Sequence, residues 1–251
     1  MVSTAAAELC HGPGYVIGPQ VDAGEVSWVR AFVERKWRGV LTAKYPFLAD
    51  KIAATSITDY HKLSHLIDHS STWSKDSRLF TASEVDQLLG KLSVFGYLRD
   101  AFGPFQVADV EHLGHPEVYW RLVRPNHPDD VAGAHADAWF YTLTNDMPLD
   151  EQKRIVKVWF PVFSEPGVSG LSVAQATQKM DLKYSGEMRH GRMKPIMTDA
   201  RAADIPLSAL SLSAGQCVAF HIDLLHGGLS HKTDQTRVSI EFAIRLNAPL
   251  N

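Results

Sequence analysis

The stretch Gln216-Cys217-Val218-Ala219-Phe220-His221-Ile222 is an apolar run that is followed shortly by Leu225-His226-Gly227-Gly228. Apolar runs of this length, bounded by turn-forming residues, predict β-strands. Comparable runs, separated by Pro, Gly, Asn and Asp, occur at residues 105–110, 117–123, 155–162, 170–173 and 237–246. Many short strands without long helices between them favour a sandwich, barrel or jelly roll over a parallel α/β sheet.

The region before these strands has a different pattern, which predicts helices. From Asp22 to Tyr45, apolar residues recur at intervals of three and four, and Asp22 with Glu25 has the spacing of a capping box. A second helix is predicted from near Thr81, with Glu84 three residues later. The sequence therefore predicts two helices of substantial length ahead of the strands.

Between these helices, residues 46–80 are mixed and polar. They contain three histidines at intervals of four, which a continuous helix would align along one side: His61, His65 and His69. A metal site on that side is conceivable, but a solvated helix face is the favoured interpretation. Together with the length of 251 residues, these patterns predict a single domain over residues 1–251. It is mainly β with flanking helices, with helical additions at about residues 20–104 and the β core at about residues 105–248.

Composition narrows the class of protein. The net charge of −3 and pI of about 6.4 do not indicate a nucleic-acid surface. No run of about 18 apolar residues occurs, so we expect no membrane span. Residues 1–9 lack the basic start and apolar core of a signal peptide. Only two cysteines occur, Cys10 and Cys217, without metal-site spacing. We therefore expect a cytoplasmic protein, and the sequence does not indicate its oligomeric state.

His135-Ala136-Asp137 predicts part of a metal site. On an extended strand, residues 135 and 137 point to the same face, so both side chains could reach one ion. His226 supplies a third ligand from a separate segment. Two imidazoles and one carboxylate leave the other positions of an octahedral ferrous ion open, as in non-haem iron oxygenases. His221 and His231 compete with His226, which is preferred because Gly227-Gly228 lets the backbone approach closely.

Arg237 begins a strand-like run eleven residues after His226. An arginine in that position is usually exposed to solvent. Here it could instead meet the far carboxylate of a dicarboxylic cosubstrate, because the planar guanidinium suits bidentate recognition of a carboxylate.

Together with these residues, further motifs carry a resemblance to a known family: Gly14-Tyr15-Val16-Ile17 with the acid-capped helix after it, Val158-Trp159-Phe160-Pro161, Ser169-Gly170-Leu171-Ser172-Val173, and Ser213-Ala214-Gly215-Gln216 leading to Phe220 and His226. The chain resembles the phytanoyl-CoA dioxygenase family of iron(II)- and 2-oxoglutarate-dependent oxygenases. The resemblance implies a double-stranded β-helix core, also called a jelly roll or cupin-like fold. Residues 46–104 and 183–204 fall outside the family pattern. Gln175–Lys179 and His231 depart from the family pattern, but neither position is a metal ligand in the family.

The resemblance also implies cofactors and roles. Fe(II) would be held by His135, Asp137 and His226. It would chelate 2-oxoglutarate, whose distal carboxylate would bind Arg237 with help from a donor near Gly228 or Ser239. Dioxygen would complete the set, and succinate and carbon dioxide would be released as the substrate is oxidised. Hydroxylation is the default outcome, desaturation and ring formation stay open, and the carboxylate of Asp137 argues against halogenation.

The substrate is expected to be a small molecule, and an anionic one is one option. Residues 183–204 are predicted to be a long, charge-rich loop that could act as a lid, although a solvated loop is the favoured interpretation. The candidate substrate contacts are Arg121, Arg124, Trp139, Tyr141, Arg189 and Arg192. The alternative functions are a jelly-roll metal enzyme that does not use 2-oxoglutarate, either a dioxygenase or an isomerase, and a catalytically silent binding module.

Overall fold

A computed structural model of the protein describes residues 3–144, 147–189 and 192–250, without the side chains of Arg189 and Arg192. These residues form ten α-helices, most of them short: α1 (Thr4–Cys10), α2 (Ala23–Lys44), α3 (Ala49–Ala54), α4 (Tyr60–Leu63), α5 (His69–Thr72), α6 (Lys75–Arg78), α7 (Ala82–Lys91), α8 (Val94–Phe102), α9 (Asp137–Thr144) and α10 (Leu149–Gln152). No helix of the described residues is both long and apolar enough to cross a membrane.

The two predicted helices are confirmed as α2 and α7. Each begins with a capping box, in which the N-cap side chain accepts from the third helical residue and that residue's carboxylate accepts from the N-cap backbone. The N-caps are Asp22 and Thr81, paired with Glu25 and Glu84. Both helices bury their apolar stripes in the main core, so the sequence periodicity reports the packed face of each helix.

The region between α2 and α7 does not form one continuous helix. It breaks into short helical segments, and the three histidines lie on different ones. His61 contacts the Thr236 hydroxyl, with its backbone amide 3.1 Å from Oγ1, while His69 Nδ1 lies 2.9 Å from the Tyr60 hydroxyl. His65 is exposed. Among the described residues these histidines form no metal-ligand cluster, so neither interpretation of the aligned histidines holds.

The described residues also form eleven strands, and β2, β3, β4, β5, β9 and β11 fall on the predicted runs: β1 (Tyr15–Ile17), β2 (Phe105–Val107), β3 (Val118–Val123), β4 (Ile155–Phe163), β5 (Leu171–Val173), β6 (Tyr184–Arg189), β7 (Arg192–Met197), β8 (Ser208–Ala209), β9 (Val218–His221), β10 (His226–Gly228) and β11 (Arg237–Leu246). A six-stranded sheet has the order β1-β9-β4-β11-β2, with β3 also paired to β11. A smaller sheet has the order β10-β5-β8. All of these pairs are antiparallel, as the jelly-roll prediction requires.

The large sheet has two chemically different faces, because side chains alternate along a strand. On β4, residues 156, 158, 160 and 162 are buried with the helices in the main core, and residues 238, 240, 242 and 244 of β11 join them. The opposite face carries Lys157 and Trp159 of β4 and Arg237, Ser239 and Glu241 of β11, and it is turned towards the small sheet. The helices therefore cover one face of the large sheet and leave the other to form the site.

The predicted loop at residues 183–204 is only partly irregular, which corrects the sequence-based expectation. Residues 184–189 and 192–197 pair as an antiparallel two-stranded sheet. β7 packs against α9, and the Tyr184 ring stacks on Trp139 with centroids 4.8 Å apart. The sequence pattern did not mark these strands, because none of their described side chains is fully buried. No described residue of these two strands lines the cavity between the two larger sheets, so the structure gives the lid hypothesis no support.

Candidate metal centre

His135 and His226 are brought together by backbone pairing. The amide of His135 donates to the carbonyl of His226 and the amide of His226 donates to the carbonyl of His135, both at 2.9 Å. This single antiparallel bridge joins the chain before α9 to β10. The sequence predicted that Asp137 would lie on the same extended strand as His135. In the structure Asp137 is instead the first residue of α9. The turn into the helix nevertheless directs its carboxylate towards both imidazoles.

The three side chains form a compact donor set. One ligand atom from each of His135, Asp137 and His226 lies within 4.8 Å of the others, and no other such cluster occurs among the described residues. His226 Nε2 is 3.7 Å from Asp137 Oδ2, and the two imidazole centroids are 4.5 Å apart. These separations fit three donors arranged around one ion.

The hydrogen bonds of the two imidazoles prepare them for a metal. His135 Nδ1 lies 2.8 Å from the carbonyl of Gly133, and His226 Nδ1 lies 2.9 Å from the carbonyl of Leu224. A carbonyl only accepts, so Nδ1 carries the proton and Nε2 keeps its lone pair. Burial and the neighbouring His226 lower the pKa of His135 to about 4, which keeps that imidazole neutral.

The carboxylate of Asp137 also has the character of a ligand. Its Oδ2 atom is buried and has no hydrogen-bond partner among the described residues. Burial alone would raise the pKa of Asp137, but Lys157 and the two imidazoles outweigh it and hold the pKa below its usual value. A buried anionic oxygen without a partner is costly. The residues present therefore fit a divalent cation, with an acceptor nitrogen from each histidine and an unpartnered carboxylate oxygen.

The rival histidines have other partners. His221 Nδ1 accepts from the amide of Asp223 at 3.1 Å. His231 is buried, with Nδ1 2.9 Å from the Thr233 hydroxyl and Nε2 3.3 Å from the carbonyl of Val123. Neither belongs to the metal-ligand cluster.

The glycines after His226 make room for the loop that leads to His135. A Cβ at Gly228 would lie 3.0 Å from Val131 Cβ and Cγ1, and a Cβ at Gly227 would lie 3.4 Å from the carbonyl oxygen of Ala132. The close approach predicted from Gly227-Gly228 is therefore made to residues 131–134 rather than directly to a metal.

This contact yields a prediction. Gly228→Val should displace the loop at residue 131 and move His135 away from His226, because the new side chain overlaps Val131. We expect metal affinity to fall by about tenfold or more, since precise ligand placement is lost. Isothermal titration with Mn(II) measures the effect. The double variant Gly228→Val/Val131→Gly should recover part of the affinity, and absence of any recovery would contradict the steric explanation.

A cavity of about 90 Å³ lies between the two sheets and includes the triad. Its wall comes from both sheets and from the loop before α9: Arg121, Asp130, Val131, Ala132, His135, Asp137, Lys157, Val158, Trp159, Leu171, Phe220, His226, Gly228, Arg237 and Glu241. Gly228 and Arg121, both predicted from the sequence, are among these residues. The triad thus faces a partly open cavity whose wall carries both charged and apolar side chains.

Arg237 is buried in this wall, with only 4% of its surface exposed. One Nη donates to the carbonyl of Gly170, and the guanidinium lies 5.9 Å from the centre of the Trp159 ring. Its Nε has no partner among the described residues, and neither has the buried hydroxyl of Ser239. Burial lowers the pKa of Arg237 to about 10, which leaves the group charged at neutral pH. A buried cation with an unused donor is suited to bind an anion.

Two charged strand residues of the cavity were missed by sequence reasoning. Lys157 Nζ lies 3.9 Å from Asp137 Oδ1, and Glu241 accepts from Arg121 Nε at 2.6 Å. Burial lowers the pKa of Lys157, but Asp137 outweighs it and raises the pKa above its usual value. A signal was present in the sequence, because each residue is a charge between two apolar, buried neighbours on its strand.

Other candidate substrate contacts do not line this cavity. Trp139 stacks on Tyr184 in a small apolar cluster, and Tyr141 is buried beside Ile155 and Ile222. The side chains of Arg189 and Arg192 lie outside the described residues. Trp139 and Tyr141, which were predicted as substrate contacts, therefore contribute to the packing of α9 instead.

Arg124 is committed to an ion pair. Its Nε and Nη2 donate to the two carboxylate oxygens of Asp130, both at 2.8 Å, and its backbone amide adds a bond at 2.9 Å. The Asp130 side chain is only 4% exposed. This bidentate ion pair connects the end of β3 to the loop that leads to His135. Arg124 therefore makes a structural contact instead of the predicted substrate contact.

We therefore predict that Asp130→Ala lowers the free energy of unfolding by about 3 kcal/mol, because Arg124 is left without its buried partner. Denaturation with urea measures the change. Asp129 is an exposed neighbour, and Asp129→Ala should change stability by less than about 0.5 kcal/mol. Equal effects of the two substitutions would contradict a structural role for this pair.

Comparison with known proteins agrees with the geometry. The chain belongs to the phytanoyl-CoA dioxygenase family, whose profile matches residues 11–239. Family membership places it in the general class of iron(II)- and 2-oxoglutarate-dependent oxygenases, in agreement with the donor set of the triad. No curated protein is significantly similar to the chain in sequence.

Solved structures share the fold at low sequence identity. SnoK, a non-heme alpha-ketoglutarate-dependent carbocyclase from nogalamycin biosynthesis, has a TM-score of 0.58 and 16% identity, covering 97% of this chain and 84% of SnoK. EctD from S. alaskensis, solved with 2-oxoglutarate and 5-hydroxyectoine, has a TM-score of 0.57 and 14% identity, covering 98% of this chain and 76% of EctD. The epimerase SnoN, in complex with Fe3+, alpha-ketoglutarate and nogalamycin RO, has a TM-score of 0.55 and 16% identity, covering 98% and 86% of the two chains. At these identities the similarity establishes the jelly-roll fold.

Proposed function

We propose that the protein is an iron(II)- and 2-oxoglutarate-dependent oxygenase that hydroxylates a small-molecule metabolite. The observation that carries this proposal is the presence, in one cavity, of a triad with free donor atoms and a buried guanidinium with an unused N–H. A two-His-one-carboxylate set suits ferrous iron and leaves coordination positions open. The guanidinium suits the distal carboxylate of a dicarboxylic cosubstrate.

The proposed roles follow from these contacts. His135 and His226 would present Nε2 to iron, held in place by the carbonyls of Gly133 and Leu224, while Asp137 would present Oδ2. When bound, iron with 2-oxoglutarate and dioxygen supplies the oxidising chemistry and releases succinate and carbon dioxide. Arg237 would orient the cosubstrate through its distal carboxylate, and the hydroxyl of Ser239 is a further donor on the same face. The guanidinium of Arg237 and Oδ2 of Asp137 are both buried, which strengthens their charge interactions.

Hydroxylation is the proposed outcome, although enzymes of this fold differ in the reaction they catalyse. SnoK is a carbocyclase, SnoN is an epimerase and EctD was solved with a hydroxylated compound. The fold alone does not determine the reaction. We also propose the cytoplasm as the location, because ferrous iron needs reducing conditions and both cysteines are unpaired.

An anaerobic binding experiment followed by a turnover experiment tests the proposal. Fe(II) and 2-oxoglutarate added together should give a visible charge-transfer band and a ternary mass, each of which requires both components. Succinate release in the presence of candidate metabolites, with mass analysis of their products, then tests hydroxylation. Oxygen uptake without succinate would support a dioxygenase that does not use 2-oxoglutarate. Product formation without oxygen would indicate an isomerase, and absence of both metal and 2-oxoglutarate binding would indicate a silent module.

A further inference from the structure

Lys157 lies in the cavity wall without a strong partner. It sits on β4 between buried Val156 and Val158 and faces the small sheet, and 19% of its side chain is exposed. Its ion-pair contact with Asp137 Oδ1 is 3.9 Å long, which is beyond hydrogen-bonding distance. Placing a lysine in the middle of a buried strand is costly unless its charge is used. Because the contact with Asp137 is too long for a hydrogen bond, the N–H donors of Lys157 are available to a ligand in the cavity.

The charges of the cavity explain what the ammonium could bind. The pair of Arg121 and Glu241 is neutral, as is the pair of Arg124 and Asp130. The remaining ionised groups of the wall are Lys157 and Arg237, both cationic, and Asp137, which is anionic. A divalent metal ion and doubly charged 2-oxoglutarate would cancel each other. The loaded cavity would then keep one uncompensated positive charge.

The position of this charge follows from the triad. Asp137 directs Oδ2 towards His226 Nε2 and Oδ1 towards Lys157. Once Oδ2 binds a metal ion, the carboxylate has less negative charge to offer Lys157. The ammonium is then the group with the least compensated charge. The carboxylate of Asp137 lies between it and the metal position. An anion that binds there would place its neighbouring carbon atoms close to the site of oxidation.

We propose that the ammonium of Lys157 binds a carboxylate group of the substrate, and that this singly charged group lies close to the carbon that is oxidised. This inference rests on the function proposed above and adds the class of substrate to it. The recognition site differs from the predicted one, since it uses neither the strand pair of β6 and β7 nor Arg124. An uncharged analogue would leave the buried ammonium without a partner, and sites built this way discriminate strongly against such analogues.

A pair of small probes tests the inference without requiring turnover. Protein loaded with Mn(II) and 2-oxoglutarate under anaerobic conditions is titrated with propionate or with its neutral isostere propionamide. Paramagnetic relaxation of the probe's methyl protons reports binding near the metal. The wild-type protein should bind propionate at least about tenfold more tightly than propionamide, as expected for a charge-assisted contact. Lys157→Met should abolish this preference, and Lys157→Arg should retain part of it.

A matched control and independent binding measurements make the outcome decisive. Lys153→Met, at an exposed lysine paired with Asp150, should keep the full preference. Lys157→Gln serves as a second neutral variant should Lys157→Met fail to fold. A preference that persists in the neutral variants, or one that is absent from the wild type, overturns the inference.

Calorimetry separates this failure from failure of the proposed function. If wild-type protein binds neither Mn(II) nor 2-oxoglutarate, both proposals are wrong. If a neutral Lys157 variant keeps the metal but loses 2-oxoglutarate, Lys157 belongs to the cosubstrate site. In that case the inference is overturned while the proposed function stands.

Discussion

Asp137→Gly should abolish succinate formation and weaken metal binding more than any other single substitution outside the two histidines. The change removes the only anionic donor of the triad and leaves His135 and His226 as a pair of neutral ligands. Loss of an outer-shell partner typically lowers metal affinity by about 10–100-fold, and loss of a direct ligand should exceed that range. Titration with Mn(II), monitored by electron paramagnetic resonance, measures the affinity, and anaerobic loading followed by oxygen exposure measures succinate.

Two further variants define what this result means. Asp137→Glu should also bind metal poorly, because one extra methylene moves the carboxylate beyond the tolerance of the site. Asp129→Ala should leave metal binding unchanged, since Asp129 is exposed. Asp130 is unsuitable as a control because its ion pair with Arg124 supports the loop before His135. Wild-type succinate formation by Asp137→Gly, together with its loss in Asp129→Ala, would show that the carboxylate had been wrongly chosen.

Arg237→Ala should weaken binding of 2-oxoglutarate by two to three orders of magnitude while leaving metal affinity nearly unchanged. Removing one partner of a buried charged pair costs about 3–5 kcal/mol, and about 1.4 kcal/mol corresponds to a factor of ten in affinity. The guanidinium is not a metal ligand, so the effect should be confined to the cosubstrate. Calorimetric titration of the Mn(II)-loaded variant with 2-oxoglutarate measures the change.

Arg245→Ala is the matched control for this prediction. Arg245 lies on the same strand but is exposed and paired with Glu151, so its removal should not affect 2-oxoglutarate. Arg237→Lys keeps the charge but loses the planar fork, and we expect intermediate affinity. Unchanged 2-oxoglutarate affinity in Arg237→Ala would remove the main structural support for this cosubstrate.

Local sequence patterns predicted most of the fold because each depends on neighbouring residues. Capping boxes specify α2 and α7 through backbone contacts within one turn. The buried strands β4 and β11 are marked by apolar runs, since both contribute one whole face to the core. The strand pair at residues 184–189 and 192–197 was not predicted, because its described residues have no such buried face. Its position depends on contacts with α9, including the stacking of Tyr184 on Trp139.

The triad and the arginine could be selected from the sequence because their residue types and spacing resemble those of a family. The sequence alone thus determined the fold class, the candidate ligands and the candidate cosubstrate residue. It could not show that Asp137 opens a helix, or that the glycines after His226 accommodate Val131. Nor could it show which arginines are already paired.

Only the tertiary structure decided which charges share the cavity. Lys157, Glu241 and Arg121 belong to three different strands, and their proximity depends on the register of the large sheet, in which Ser239 of β11 lies opposite Arg121. Arg124, close to Arg121 in sequence, is instead held by Asp130. Side-chain charge is a property of each residue, but whether it is neutralised or available depends on partners distant in the chain. The candidate residues for substrate recognition could therefore be chosen only after the strands were paired.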